Sequence, residues 1–167
     1  MPAPSPLAAL AAALAPATLA GCFTYQPGSF QSSRTGFPSH RVTIGCLDVG
    51  VATVHDRVVT GPVVEYRFGN RCDHAVPVDL AAVRVTGRTR LGDDVAMVPY
   101  DPYRDLRRLP LDGRSSGGEQ IAYRTARDFG SDVVQLCVDL TGITDGGSPT
   151  VACLAADAQV ASAGGQP

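Results

Sequence analysis

The chain has no lysine, no tryptophan, only two glutamates and no Cys-x-x-Cys pair. All 14 of its basic residues are therefore arginine, which together with the many Ala, Gly and Asp residues reads as GC-rich coding bias rather than as a binding specialisation. The net charge of −2 is interspersed along the chain, so no patch recommends a nucleic acid or an anionic surface as partner. No Gly-rich phosphate loop and no aromatic–basic interleaving is present, which removes the nucleotide-binding and nucleic-acid-binding patterns. Long apolar runs are missing as well. The longest, from Leu7 to Ala20, covers 14 residues and contains Pro16, whereas a membrane-spanning helix needs roughly 20 and proline breaks a continuous one.

What is present begins with that run. It has the length of a signal-peptide core, and it ends in Leu19-Ala20-Gly21-Cys22. This tetrad resembles the lipobox of bacterial lipoproteins. The resemblance implies cleavage before Cys22, with residues 1–21 removed as signal peptide and Cys22 carrying the covalent lipid. No other cofactor is implied. Acyl chains on Cys22 exceed the two-signal threshold for stable anchoring. Phe23 stands where an Asp often retains such proteins in the inner membrane, so the resemblance leans towards the outer membrane, facing the periplasm or the cell surface.

Setting Cys22 aside leaves Cys46, Cys72, Cys137 and Cys153. An even number in an exported chain favours two disulfides, and spacings of 26, 65 and 16 lack zinc-site character. Three connectivities are open. If Val133–Leu140 and Thr150–Ala155 form a hairpin centred near Asp145, Cys137 and Cys153 lie opposite each other, which leaves Cys46 for Cys72.

Residues 22–40 are rich in Ser, Gln, Pro, Gly and Thr and read as a lipid-anchored flexible tether. Residues 157–167 read as a disordered tail, and residues 41–156 as the folded domain. Inside it the signals are almost all β. Arg41–Val54 alternates, with Gly45 and Gly50 marking bends or bulges. Further strands are expected at Val63–Phe68, Val76–Val85, Val95–Pro99, Glu119–Arg124, Asp132–Leu140 and Thr150–Ala155. One helical turn is expected after Asp101-Pro102, and a loop over Asp112–Gly118. About seven strands without a long amphipathic helix predict a single antiparallel β-sandwich. The pattern of Glu65-Tyr66-Arg67-Phe68-Gly69-Asn70, Val76-Pro77-Val78-Asp79-Leu80 and Val134-Gln135-Leu136-Cys137-Val138 resembles immunoglobulin-like accessory domains of bacterial envelope proteins.

Several fragments imitate chemistry. Gly113-Arg114-Ser115-Ser116-Gly117 matches the G-x-S-x-G nucleophile pattern, but it lacks the strand-to-helix turn which that mechanism requires. His55-Asp56 and Asp73-His74 sit at strand ends or turns, where polar residues belong on structural grounds. Asp93-Asp94 and Asp101 lack the D-x-D-x-D-G calcium loop and read as turn formers. No catalytic residue and no metal ligand is assigned. The most distinctive surface stretch, Val98 to Pro110, carries Tyr100, Tyr103, Arg104, Arg107 and Arg108. That composition suits contact with an envelope protein or glycan. The expected function is a non-catalytic binding or structural module; an envelope hydrolase and a subunit of an envelope assembly are the alternatives.

Overall fold

The structure, a computed structural model, describes residues 40–54, 61–125 and 132–156, together with Tyr25. The signal-peptide segment 1–21, Cys22, His55 and the tail 157–167 lie outside the described residues, as does most of the expected tether. No helix among the described residues is long and apolar enough to cross a membrane.

Among the described residues ten strands form where about seven were expected, and the fold is antiparallel and nearly all β. The difference comes from how single runs are cut. The alternating stretch 41–54 is two strands, β1 (His40–Ile44) and β2 (Leu47–Val54), folded back on each other. Between them Gly45 takes φ 57° at the first central position of a two-residue turn, the place where such hairpins call for glycine. After β3 (Val63–Asn70), the run 76–85 is also broken. It gives β4 (Val76–Asp79), a 3-10 turn (Leu80–Ala82) and β5 (Arg84–Thr89). Asp79 interrupts it, its Oδ1 accepting the Ala81 N–H at 3.0 Å.

The remaining elements are β6 (Asp94–Pro99), the helical turn α1 (Pro102–Asp105), β7 (Arg108–Leu111), β8 (Ser116–Thr125), β9 (Val133–Asp139) and β10 (Val151–Ala155). The expected helical turn is present. The expected loop 112–118 is shorter, because Ser116–Gly118 pair with Gly69–Arg67 and join β8. Strand β7 was not expected; it pairs with β4 in a separate two-stranded ribbon.

The main sheet runs β1-β2-β3-β8-β6-β5-β9-β10. Strand β8 changes partners along its length. Ser116–Ala122 pair with β3, and Tyr123–Thr125 pair with β6. The sheet turns a corner there and curls until β10 returns towards β2, where Thr53 Oγ1 donates to Ala155 O at 2.9 Å. The result is nearly barrel-shaped rather than a plain seven-stranded sandwich.

Curling gives both halves one inner face. Leu47, Val49 and Val51 of β2 meet Val64, Tyr66 and Phe68 of β3, Ile121 and Tyr123 of β8, and Leu136 and Val138 of β9 in a single core. Full burial of each aliphatic side chain contributes about 1.5–3 kcal/mol.

Both disulfides form. Cys137 and Cys153 are direct register partners of β9 and β10, with Cα atoms 4.0 Å apart. Cys46 and Cys72, 5.5 Å apart at Cα, join the β1–β2 turn to the turn after β3. The Cys46–Cys72 loop spans 26 residues, and chain-entropy arguments give such a crosslink about 3–4 kcal/mol. The Cys46→Ser/Cys72→Ser double variant is therefore expected to lose about 3 kcal/mol in urea denaturation, and non-reducing peptide mapping should return only the 137–153 pair.

Candidate functional site

Strand β2 is buried on both faces near its start, which a strand at the surface of a curled sheet does not require. Its inward residues are Leu47 and Val49; Asp48, between them, points outward and is nevertheless fully buried. The register places Thr43, Asp48, Gly69 and Ser116 in one row across β1, β2, β3 and β8. Side chains one residue apart alternate faces, so this row lies on the outside of the sheet.

Tyr25 covers that row. Its ring lies against Gly69, where a Cβ would overlap the ring carbons. The hydroxyl donates to Asp48 Oδ2 at 2.7 Å. Its backbone N–H donates to Arg114 O in the β7–β8 turn, where Arg114 itself holds φ 55°. Arg114 N in turn donates to Cys72 O at 2.9 Å. Tyr25 belongs to the segment read from the sequence as a flexible tether, and the structure instead buries it to 2 % exposure.

The Asp48 carboxylate is saturated. Beside Tyr25, Arg41 Nη2 donates to Oδ2 at 3.0 Å and Thr43 Oγ1 donates to Oδ1 at 2.7 Å. Arg71 Nε approaches Oδ1 at 3.5 Å, an ion-pair distance outside hydrogen-bonding geometry, and is buried without an acceptor. Its Nη2 donates to Gly45 O at 2.7 Å. A carboxylate that accepts three hydrogen bonds, faces a fourth side chain as an ion pair and is sealed from solvent is a structural joint; general-base work needs a free lone pair within reach of substrate.

The neighbouring turns are fastened in the same manner. Asn70 is fully buried, and its Nδ2 reaches His74 O, Leu111 O and Asp112 O at 2.8 to 3.0 Å. Its Oδ1 accepts from Cys72 N. This links the β3–β4 turn to the β7–β8 turn. Arg114 Nε donates to Asp73 Oδ1 at 2.6 Å and, by that bond and its charge, holds the Asp73 carboxyl below its usual range. Ser115, the serine of the G-x-S-x-G match, donates Oγ to Asp112 O at 2.6 Å and so closes its own turn. Among the described residues no group of His, Cys, Asp and Glu is arranged to hold a metal ion.

The stretch 100–108 lies elsewhere. Tyr100 N donates to Ala122 O at 3.0 Å, six residues along β8 from Ser116, and the Arg124 guanidinium stands 5.4 Å from the Tyr100 ring centroid. Asp101 caps α1, accepting the Arg104 N–H at 3.1 Å. Tyr103 is 96 % exposed and Leu109 46 %. Arg108 pairs with Asp145, at 3.2 Å, and Leu80 N donates to Arg107 O at 2.9 Å. Burial, then the nearby Asp101, raises the Asp105 carboxyl above its usual range. These contacts fix the backbone and leave Tyr103 outside it.

Sequence reasoning missed Tyr25, Asp48, Arg41, Thr43 and Arg71. A signal existed in Leu47-Asp48-Val49-Gly50, a single carboxylate among small and apolar residues, and in Gly69 inside a strand of large ones. The partner that explains them lies 23 residues before Asp48.

One further polar pair sits inside the core. The Tyr66 and Tyr123 hydroxyls share a hydrogen bond of 2.8 Å. Burial pushes Tyr123 up to about 12 and raises Tyr66 well above its ordinary value.

Two outcomes follow for measurement. Asp48→Asn keeps the shape and removes the charge, and should cost about 1–3 kcal/mol in urea denaturation, together with easier proteolysis next to Tyr25. For the tyrosines, the folded state holds its phenolic protons more tightly than the unfolded chain. That contribution is complete below the unfolded value of 10.0 and is lost as pH rises through about 12. Stability should fall between those limits, and the Tyr66→Phe/Tyr123→Phe variant should show a flatter alkaline limb with little change at neutral pH.

No family model, no curated protein and no solved structure matches this chain.

Proposed function

We propose that this is a lipid-anchored cell-envelope protein whose β domain is a non-catalytic binding or structural module. Cys22, at the end of Leu19-Ala20-Gly21-Cys22, is the lipid-bearing residue, and the outer membrane is the favoured location. The two disulfides support an oxidising compartment. The domain is an immunoglobulin-like module in which the two half-sheets have stayed joined through β8; the single core shared by both halves supports this reading.

The observation that carries the binding role is Tyr103. An aromatic side chain 96 % exposed, on a turn whose backbone is capped by Asp101, beside Arg104 and Arg107, is an anchor presented to solvent. The partner class is an envelope protein or glycan. By contrast, the buried carboxylate and the matched serine are both engaged in holding the chain.

The test uses the full-length protein in its native envelope. Cys22→Ser should abolish lipid labelling and release the protein from the membrane fraction. Photocrosslinking from position 103 should give a discrete adduct absent when the crosslinker stands at Leu91. Alanine at Tyr103 should weaken that partner by about tenfold or more, the loss of an interface anchor worth at least ~1–2 kcal/mol. Membrane retention of the Cys22→Ser variant, or equal crosslinking from both positions, would overturn the proposal.

A further inference from the structure

The docking of Tyr25 has a consequence for how the domain meets the bilayer. Cys22 and Tyr25 are three residues apart, so their Cα atoms are separated by at most about 11 Å. Without the docked tyrosine, the chain from Cys22 to His40, where β1 begins, covers 18 residues and could extend roughly 60 Å. The geometry points to Tyr25 as a mount that holds the Asp48–Gly69 end of the domain against the phospholipid headgroup layer. The inference rests on the lipid-anchor reading of Cys22.

Four features of the site fit that role. The contact is specific in shape, since Gly69 leaves room for one aromatic ring and the register sets Asp48 beside it. It is tied to the domain through the Tyr25 hydroxyl, by its bond to Asp48, and through the backbone N–H, by its bond to Arg114 O. The surrounding turns are fastened: the Cys46–Cys72 disulfide and the Asn70 bonds hold the segments beneath it. Arg41 and Arg71 pair with Asp48 beside the Tyr25 hydroxyl, and Arg114 pairs with Asp73; their side chains are 36 %, 38 % and 47 % exposed, so lipid phosphates can approach partly solvated guanidinium groups at this end.

The mount also sets orientation. Strand β8 starts at Ser116, beside Gly69, and its ten residues carry the chain about 30 Å to Thr125. The β5–β6 turn with Leu91 lies past that far end, in the other half of the sheet. The exposed stretch around Tyr103 leaves β6 next to Ala122 and leads back through β7 to Leu111, which Asn70 holds, so it lies along the side of the domain between the two ends. A domain held at the Asp48–Gly69 end of its strands therefore presents the Leu91 turn away from the bilayer.

Because the chain contains no tryptophan, a single introduced indole reports on one position. His74→Trp, in the turn near the mount, and Leu91→Trp, at the far end, would be prepared in the full lipidated protein. Each is reconstituted into vesicles of phosphatidylethanolamine and phosphatidylglycerol carrying a headgroup-nitroxide lipid, and lipid on Cys22 is verified by mass. Quenching at position 74 should be several-fold stronger than at position 91. Gly69→Ala, whose methyl group displaces the Tyr25 ring, should collapse that difference while leaving the lipid in place. Tyr25→Ala, which alters no strand, should do the same and stands in if Gly69→Ala does not fold. Equal quenching at both positions with the lipid present, or a difference that survives Tyr25→Ala, would overturn the mount alone. Absence of lipid on Cys22 would overturn the anchor reading, and the mount with it.

Discussion

The structure depends on one strand that changes partners halfway. Because β8 pairs with β3 up to Ala122 and with β6 from Tyr123, the two halves of the sheet cannot separate without breaking a continuous backbone ladder. The corner this makes turns the inner faces of β2 and β3 towards β9, and the shared core follows from it. Tyr123 is the first residue on the new partner, and its hydroxyl meets that of Tyr66 on β3. The corner is therefore marked by a buried polar contact, whose two members satisfy each other where either alone would carry the cost of an unpaired hydroxyl.

A second buried polar group sits on the opposite side of the same strands. Asp48 gathers hydrogen bonds from β1 and from Tyr25 and an ion pair from the turn after β3, so it ties local and distant parts of the chain to one carboxylate. Removing a charge from water is costly unless it is paired and hydrogen-bonded. Here part of the compensation comes from a residue outside the strands, and the site is complete only when Tyr25 is seated. Together with the Asn70 bonds and the Cys46–Cys72 crosslink, this makes one end of the sheet stiff.

The exposed aromatic stretch is built on the opposite plan. Its backbone is held by Asp101, by the Leu80 N–H to Arg107 O and by the Arg108–Asp145 pair, while Tyr103 stays outside. A polar, saturated end and an open aromatic turn suit attachment and contact respectively, and they occupy different stretches of β8. In the proposed function the saturated end fastens the module while Tyr103 remains accessible.

Part of this was legible in the residues themselves. Alternation gave the β class and located most strands; Asp101-Pro102 gave the helical turn; and the pairing of Cys137 with Cys153 followed from a hairpin only 16 residues in span. All of these are short-range consequences of side-chain period, capping and turn geometry. The cutting of residues 41–54 into a hairpin was less visible, because alternating apolar residues look the same on either side of a two-residue turn. Beyond that range the chain alone was silent. The β4–β7 ribbon, the partner change within β8 and the seating of Tyr25 over Asp48 and Gly69 each join segments by backbone pairing or by fit between surfaces, and local pattern carries no record of which distant segment will arrive. The sequence by itself determined the strands and the chemistry they could bear; the tertiary structure decided which polar residues were spent on holding the chain and which were left facing outward.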